Sequence, residues 1–193
     1  MKKITIVLCF FLLAAVAVNA QEFKKFRVGI GGGYASASGT GAKGGILIYC
    51  EPAYRVMDQL LVGVRFEAAA MIRGYEESVE TSSISASLSG AQGVFGQYYF
   101  SNNTFRPFVG LGLGLNKIAT AAASFEGEAY AALDESKFGF FPRIGFDVSH
   151  FTLSIDYNMI GPSTLEGSSG GELKTKNNYI GIRFGGFFGG GRK

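Results

Sequence analysis

The 193-residue sequence contains no tryptophan, two cysteines, a single histidine and little net charge. Two cysteines cannot build the disulfide framework of a small secreted domain. With a formal net charge of +3 at pH 7, the chain has no basic field that would attract nucleic acid. A hydrophobic content of 47% excludes a disordered chain, which needs low hydrophobicity and high net charge. We therefore expect a folded domain with no nucleic-acid partner.

The N-terminal segment has the layout of a secretory signal peptide. Two lysines precede an apolar stretch from Ile6 to Val18, and small residues follow before Gln21. This apolar stretch is shorter than the roughly 20 residues that a membrane-spanning helix needs. We predict a signal peptide over 1–20 that is cleaved on export, a barrel domain over 21–188, and a Gly-rich basic tail over 189–193.

Beyond Gln21, no apolar run approaches the length of about 18 residues that marks a membrane-spanning helix. The apolar residues instead recur with period two, which is typical of strands. Between Leu60 and Arg73, for example, one side is apolar and all charges, including Arg65 and Glu67, fall on the other. Seven further segments repeat this pattern, although two of them are less regular. The sequence therefore predicts eight strands.

The connections between the predicted strands alternate in length. The short ones are 56–59, 101–104 and 149–150, and the long ones are 36–43, 74–83, 120–135 and 161–174. Short turns then lie on one rim and long loops on the other. An even number of antiparallel strands with this alternation is typical of a bacterial outer-membrane protein. We predict an all-β fold, an eight-stranded antiparallel up-and-down transmembrane β-barrel with its short turns in the periplasm.

The charges indicate which face of the strands meets lipid. A soluble barrel points its apolar face inward and a membrane barrel points it outward, so alternation alone fits both. Here the polar face carries four arginines, four acids and many glycines, which suits a narrow interior where each buried charge needs a partner. We therefore predict a polar cluster inside the barrel. Its members are Arg27, Glu51, Arg65, Glu67, Arg143, Asp147, Asp156 and Arg183.

Aromatic residues on the apolar face gather towards the short-turn rim, where rings prefer the lipid headgroup level. They are Phe26, Tyr54, Phe100, Phe105, Phe151 and Phe188. Cys50 lies on the same apolar face and is expected to be a small lipid-facing residue.

Three prolines, Pro52, Pro107 and Pro142, fall within predicted strands, although a closed barrel has no edge strand to accommodate them. The first two lie near the short-turn rim, where a lost backbone hydrogen bond can be replaced by water. Pro142 lies deeper in its strand, and we expect a β-bulge there.

Four sequence motifs carry a resemblance to a known family. They are EPAYR at 51–55, LVGVR at 61–65, FRPFVG at 105–110 and YIGIRF at 179–184. Together with the leader, they resemble the small outer-membrane β-barrel family of eight-stranded OmpA-like and OmpX-like barrels, in particular the version common among Bacteroidetes. The resemblance covers about residues 23–188. It implies the architecture, a location in the bacterial outer membrane and contact with outer-membrane lipid, but no shared activity.

The residues offer little for catalysis. His150 is the sole histidine, so a Ser-His-acid triad or a His-rich metal site would have to be built around it. Gly110, Gly112 and Gly114 do not form a dinucleotide loop, because that pattern requires a glycine at position 115, where the chain has a leucine. The long loops are rich in acids, but their spacing matches no calcium loop. We expect no enzymatic activity, no cofactor and no metal.

We therefore expect an integral outer-membrane barrel with a structural or surface-interaction role. The loop at 120–135 is the longest by sequence and is the best candidate for an extracellular partner, because loops on rigid scaffolds commonly carry function. One alternative is a soluble lipocalin-like carrier, which requires an apolar interior. The other is a small outer-membrane pore, against which the interior charges argue.

Overall fold

The computed structural model of the protein describes residues 22–39, 41–73, 86–120, 123–125, 128–130, 133–166 and 172–192. The predicted leader, residues 1–20, lies outside the described residues. Across the described ranges, the secondary structure consists of strands, turns and irregular segments. None of these ranges contains a helix long and apolar enough to cross a membrane.

The described residues form twelve strands. They are β1 Phe26–Ala37, β2 Lys43–Met57, β3 Leu60–Ile72, β4 Ala86–Tyr99, β5 Phe105–Thr120, β6 Ala123–Phe125, β7 Glu128–Tyr130, β8 Leu133–Val148, β9 Phe151–Ile160, β10 Ser163–Glu166, β11 Glu172–Thr175 and β12 Tyr179–Gly189.

Eight of these strands close into an antiparallel barrel with the order β1-β12-β9-β8-β5-β4-β3-β2. The last barrel strand pairs with the first, from Arg27 opposite Gly189 to Ala37 opposite Tyr179. Closure leaves the barrel without an unpaired sheet edge, so its backbone groups are satisfied within the wall. The predicted all-β, eight-stranded antiparallel barrel is confirmed.

The four remaining strands form two hairpins beyond the barrel. β6 pairs with β7 and β10 pairs with β11. The hairpin β6–β7 lies in the chain between the barrel strands β5 and β8, which pair as far as Thr120 and Leu133. The expectation that 120–135 is the longest connection is wrong, because Thr120 belongs to β5 and residues 133–135 belong to β8, which shortens the connection to 121–132. The connection between β9 and β12, residues 161–178, is longer.

The outer wall of the barrel is apolar. Leu111, Ile46 and Phe184 are 57%, 70% and 55% exposed, and the residues next to them in each strand point inward. The aromatic residues predicted at the short-turn rim are also exposed, and Phe26 and Tyr54 meet edge-on at 5.2 Å. The assignment of the apolar face to the outside is confirmed, and a continuous apolar wall is what hydrocarbon requires.

Pro142 interrupts one ladder without changing its register. Phe140 and Arg143 both pair with β9 in the same register, and the two residues between them form no ladder pair with that strand. The β-bulge expected at Pro142 is therefore wrong, since no residue is inserted. Proline has no N–H to donate, so the ladder skips it, while the pair with Leu111 on β5 is kept. Pro52 faces a similar gap in the pairing of β2 with β3.

Candidate functional site: the filled interior and its two mouths

The centre of the interior is an ion-pair network joined through Asp156 on β9. One oxygen of this carboxylate forms ion pairs with Arg65 on β3 and Arg183 on β12. Its other oxygen lies 3.5 Å from Nε of Arg143 on β8. All four side chains are at most 2% exposed. A single carboxylate cannot neutralise three guanidinium groups, so further acids are needed beside it.

Glu51 and Glu67 supply those acids from the adjacent strands β2 and β3. An oxygen of Glu51 lies 3.0 Å from Nη1 of Arg143 and 3.2 Å from Nε of Arg65. Glu67 forms an ion pair with Arg183. The central network therefore matches three arginines with three acids, and its members come from β2, β3, β8, β9 and β12.

A second charged group lies closer to the short-turn rim. Nη1 of Arg27 on β1 lies 2.5 Å from Oδ2 of Asp147 on β8. The hydroxyls of Tyr99 and Thr152 each donate to Asp147 at 2.7 Å, and Arg27 donates to both hydroxyl oxygens. The eight residues of the predicted polar cluster thus all lie inside the barrel, where they form two groups rather than one.

Aromatic rings contact the members of both charged groups. The guanidinium carbon of Arg65 lies 3.5 Å from the centroid of the Phe141 ring. That of Arg143 lies 6.0 Å from the centroid of Phe108, whose ring meets Tyr99 edge-on at 5.5 Å. These rings belong to a buried apolar cluster. Cation–π contacts therefore join this apolar cluster to the central network.

Three buried arginines were not included in the predicted cluster. Arg55, Arg73 and Arg106 are at most 4% exposed, and none forms an ion pair with a carboxylate in the described part of the chain. Alternation already assigns Arg55 and Arg73 to the polar face, so the signal was present in the sequence. Arg106 is the first inward-facing residue of β5, and the same period-two alternation indicates that it points inward. Arginine therefore outnumbers acid among the buried residues described.

The mouth at the short-turn rim is closed by Phe23 and the residues around it. Phe23 is 5% exposed and pairs with Arg192 through an isolated bridge. Its ring lies 3.9 Å from the guanidinium carbon of Arg106 and 5.0 Å from that of Arg55. The carboxylate of Asp58 accepts the backbone N–H of Phe23 at 3.3 Å. This segment lies outside every alternating stretch, so the sequence pattern gave no signal for it.

The opposite mouth is covered by polar contacts from the long connections. Arg73 donates to the backbone oxygen of Asn177 at 2.6 Å and to the hydroxyl of Ser87 at 3.0 Å. Asn177 in turn donates to the hydroxyl of Ser163 at 2.8 Å. A second buried apolar cluster, which includes Leu47 and Ile118, lies within the barrel. Both mouths are therefore occupied by protein side chains.

The structure places His150 and Cys50, the two residues considered for chemistry, on different parts of the barrel. His150 is exposed in the turn between β8 and β9, and its ring lies 5.3 Å from that of Phe187. Cys50 is a free thiol on the outward face of β2. Within the described ranges, no group of three or more His, Cys, Asp or Glu side chains could hold a metal ion. The charged side chains of the interior instead form ion pairs with one another.

An apolar outer wall around a polar, filled interior defines an integral membrane β-barrel. The chain belongs to the family described as the outer membrane protein beta-barrel domain, whose model matches residues 5–188. This family implies a location in the bacterial outer membrane. The alternative of a soluble lipocalin-like carrier is not favoured, because the interior carries arginines and carboxylates and the apolar side chains face outward.

Two solved structures have the same fold. Neisserial surface protein A has a TM-score of 0.56 and 19% identity, with 84% of this chain and 94% of that chain covered. The outer membrane protein OprG from Pseudomonas aeruginosa has a TM-score of 0.53 and 17% identity, with 88% and 99% covered. At these identities, the likeness establishes the fold alone. No curated protein sequence matches the chain.

Proposed function

We propose that the protein is a closed outer-membrane barrel, neither a pore nor an enzyme, that acts through its wall and its surface hairpins. The observation that carries this proposal is the buried network around Asp156, which spans the interior from β2 to β9. An ion passing through the barrel would have to separate Arg65, Arg143 and Arg183 from their carboxylates. Breaking one buried pair costs about 3 to 5 kcal/mol, so the path stays closed.

Single-channel recording in planar bilayers tests the closed state. We expect no steady conductance from the unaltered protein. The double variant Arg65→Ala, Arg143→Ala removes both cations that hold Glu51 and is expected to produce openings. Lys176→Ala, an exposed change outside the barrel strands, is the control and should remain silent. A steady conductance from the unaltered protein would favour the small pore instead.

The hairpins supply the surface part of the proposal. Short turns of outer-membrane barrels face the periplasm and longer connections face the cell exterior. In that orientation, β6–β7 and β10–β11 project outside the cell, and the outward wall contacts outer-membrane lipid. We propose that the segment 120–135 contacts an extracellular partner, since loops on rigid scaffolds commonly carry function.

Epitope insertion tests the exposure of this segment. An epitope between residues 126 and 127 should be labelled by antibody on intact cells. The matched control is the same epitope between Asn103 and Thr104, in a turn on the opposite rim, which should be labelled only after permeabilisation. The reverse result would place the hairpins in the periplasm and remove the basis for an extracellular partner.

The division of the chain remains part of the proposal. We propose that residues 1–20 act as an export signal that is cleaved, that 21–188 form the barrel domain, and that 189–193 are a Gly-rich basic tail. N-terminal sequencing of protein recovered from envelopes should begin at Gln21. An intact N-terminus at Met1 would show that the leader is retained.

A further inference from the structure

The short-turn rim contains an open pocket whose lining includes two arginines and a histidine among uncharged residues. The pocket has a volume of about 300 Å³, and its lining includes Arg106, His150, Arg192, Phe23 and Phe187. We call it the rim pocket. No Asp or Glu side chain lines it among the described residues. Its composition therefore favours an anionic occupant.

Among the described residues, no carboxylate forms an ion pair with Arg106 in the rim pocket. Its guanidinium carbon lies 3.9 Å from the ring centroid of Phe23 and 4.1 Å from that of Tyr99, so two rings fix its plane. Its hydrogen-bond acceptors are neutral. They are the backbone oxygens of Ser101 at 3.1 Å and Asp58 at 2.6 Å, and Oδ1 of Asn102 at 3.4 Å.

The remaining nitrogen, Nη1 of Arg106, donates to no atom in the described part of the chain. The whole residue is only 4% exposed. A buried cation without an ionic partner is costly, and an anion within reach of Nη1 would reduce that cost. The two rings preorganise the guanidinium for such an anion.

Arg192 supplies a second cation at the pocket. The chain leaves β12 through Gly189 and Gly190, whose φ values of 70° and 64° lie in the left-handed region and turn it back across the mouth. Arg192 is 60% exposed in its side chain, and its ion pair with Glu22 is 3.5 Å long. A long, exposed pair of this kind contributes little free energy. An anion in the pocket can therefore compete with Glu22.

Two carboxylates near Arg106 are already engaged, since Asp147, its cross-strand partner on β8, is paired with Arg27, and Asp58 is hydrogen-bonded to the backbone. Asp58 accepts the backbone N–H groups of Glu22 at 3.1 Å and Phe23 at 3.3 Å. It therefore faces the chain segment that covers the mouth, and only its backbone oxygen reaches Arg106. Nη2 of Arg192 donates to the backbone oxygen of Asn102 at 2.8 Å, while Nη1 of both arginines donates to no atom in the described part of the chain.

We propose that the rim pocket binds a phosphate group, either the headgroup of a phospholipid in the adjacent leaflet or free phosphate. The planar guanidinium fork matches the geometry of phosphate oxygens. The pocket also lies on the same rim as the exposed rings of Phe105, Phe151 and Phe188, the level at which headgroups are found. This inference goes beyond the proposed function, because it requires neither a loop partner nor a closed interior.

Nuclear magnetic resonance on ¹⁵N-labelled protein in a phosphate-free neutral detergent tests the proposal. Short-chain phosphatidylglycerol is titrated in one arm, with diacylglycerol of the same chain length as the phosphate-free control. Sodium phosphate is titrated in the other, against sodium chloride at equal ionic strength. We expect saturable shifts of the Arg106 Nε–H and Gly191 N–H signals with phosphatidylglycerol and none with diacylglycerol.

Variants assign the response to the pocket. The Arg192 side chain is exposed, so Arg192→Gln should fold normally. This variant is expected to weaken binding about fivefold, as for the loss of one exposed charge-assisted contact. Arg106→Gln should abolish binding, and Arg106→Lys, which keeps the charge but not the fork, should weaken it. Lys176→Gln, on the opposite side of the barrel, is the matched control and should bind normally.

The two arms separate the sources of phosphate. Saturable shifts with the lipid alone identify a headgroup site, and equal shifts with sodium phosphate identify a site for free phosphate. The proposal is overturned if neither titration saturates. It is also overturned if Arg192→Gln and Lys176→Gln respond alike, which would indicate a general response to charge, and this comparison holds even where Arg106→Gln fails to fold.

Discussion

Arg27 and Asp147 join the first barrel strand to β8 through an ion pair of 2.5 Å inside the barrel. The two strands are not neighbours, since β12 and β9 lie between them in the sheet order. Both side chains are almost fully buried, and the hydroxyls of Tyr99 and Thr152 complete their hydrogen bonding. This pair therefore holds the barrel across its width rather than along its wall.

Asp147→Asn is expected to destabilise the barrel by about 3 to 5 kcal/mol, because Arg27 is left buried without its counter-charge. Urea titration of the protein refolded in lipid vesicles measures this change in the free energy of unfolding. Asp134→Asn, an exposed change on the same strand, should have almost no effect. Equal effects of the two variants would mean that the pair is not a stabilising contact.

The same pair predicts a rescue. Replacing both partners, Arg27→Met with Asp147→Leu, removes two buried charges together and is expected to recover most of the stability lost in Asp147→Asn. The same urea titration reports the outcome. A double variant less stable than Asp147→Asn would contradict this expectation and would assign the cost to packing around Tyr99 and Thr152.

Leu111→Arg tests the lipid-facing side of the wall. Leu111 is 57% exposed on the outward face of β5, and an arginine at mid-membrane depth costs about 2 to 4 kcal/mol. Val148→Arg, outward at the short-turn end of β8, is the matched control and should cost about 0 to 1 kcal/mol near the interface. Refolding titrations in vesicles rank the two variants, and the opposite order would show that the membrane does not lie at this level.

Gly112→Ala tests the packing of the interior. A Cβ at Gly112 would collide with the Phe141 ring, which in turn stacks on Arg65. Overpacking of this kind costs about 1 to 3 kcal/mol. Gly96→Ala provides the contrast on the neighbouring strand, since a Cβ there meets no atom within 4 Å. Its stability should change by less than about 0.5 kcal/mol, as at most surface positions. Similar losses in both variants would argue against the Phe141 contact.

Gel mobility in SDS provides the first measurement on the unaltered protein. A closed barrel should stay folded in SDS until it is heated, so boiled and unboiled samples from washed envelopes should migrate differently. We expect Asp147→Asn to shift at a lower temperature than the unaltered protein, because its interior lacks the pair with Arg27. A freely soluble protein without a mobility shift would contradict the membrane barrel.

The strands and their faces could be predicted from sequence because apolar and polar residues alternate along each barrel strand. Leu111 and Gly112 alternate outward and inward in the structure as they do in the sequence. The same period identified the eight charged residues now found inside. It could not show that Arg27 and Asp147 form a group apart from Asp156, because partners across a barrel depend on strand register and tilt, which the alternation does not encode.

Features at the barrel ends were harder to predict. Phe23 lies before the first alternating segment, and its burial depends on contacts with Arg106 and Asp58 that are distant in sequence. At Pro142, the expected bulge is absent, because a strand can skip one side of a ladder without gaining a residue. The sequence predicts 120–135 as a loop, whereas the backbone pairing of β5 and β8 extends to Thr120 and Leu133, because ladder pairing does not require an alternating pattern of side chains.

The central network also bears on how the barrel assembles. Its charges come from β2, β3, β8, β9 and β12, so no hairpin of neighbouring strands contains all the partners. A half-formed sheet in lipid would expose guanidinium and carboxylate groups to hydrocarbon, where unpaired charges are strongly disfavoured. Closure of the wall and pairing of the interior charges must therefore occur together, and insertion into the membrane becomes a single cooperative event.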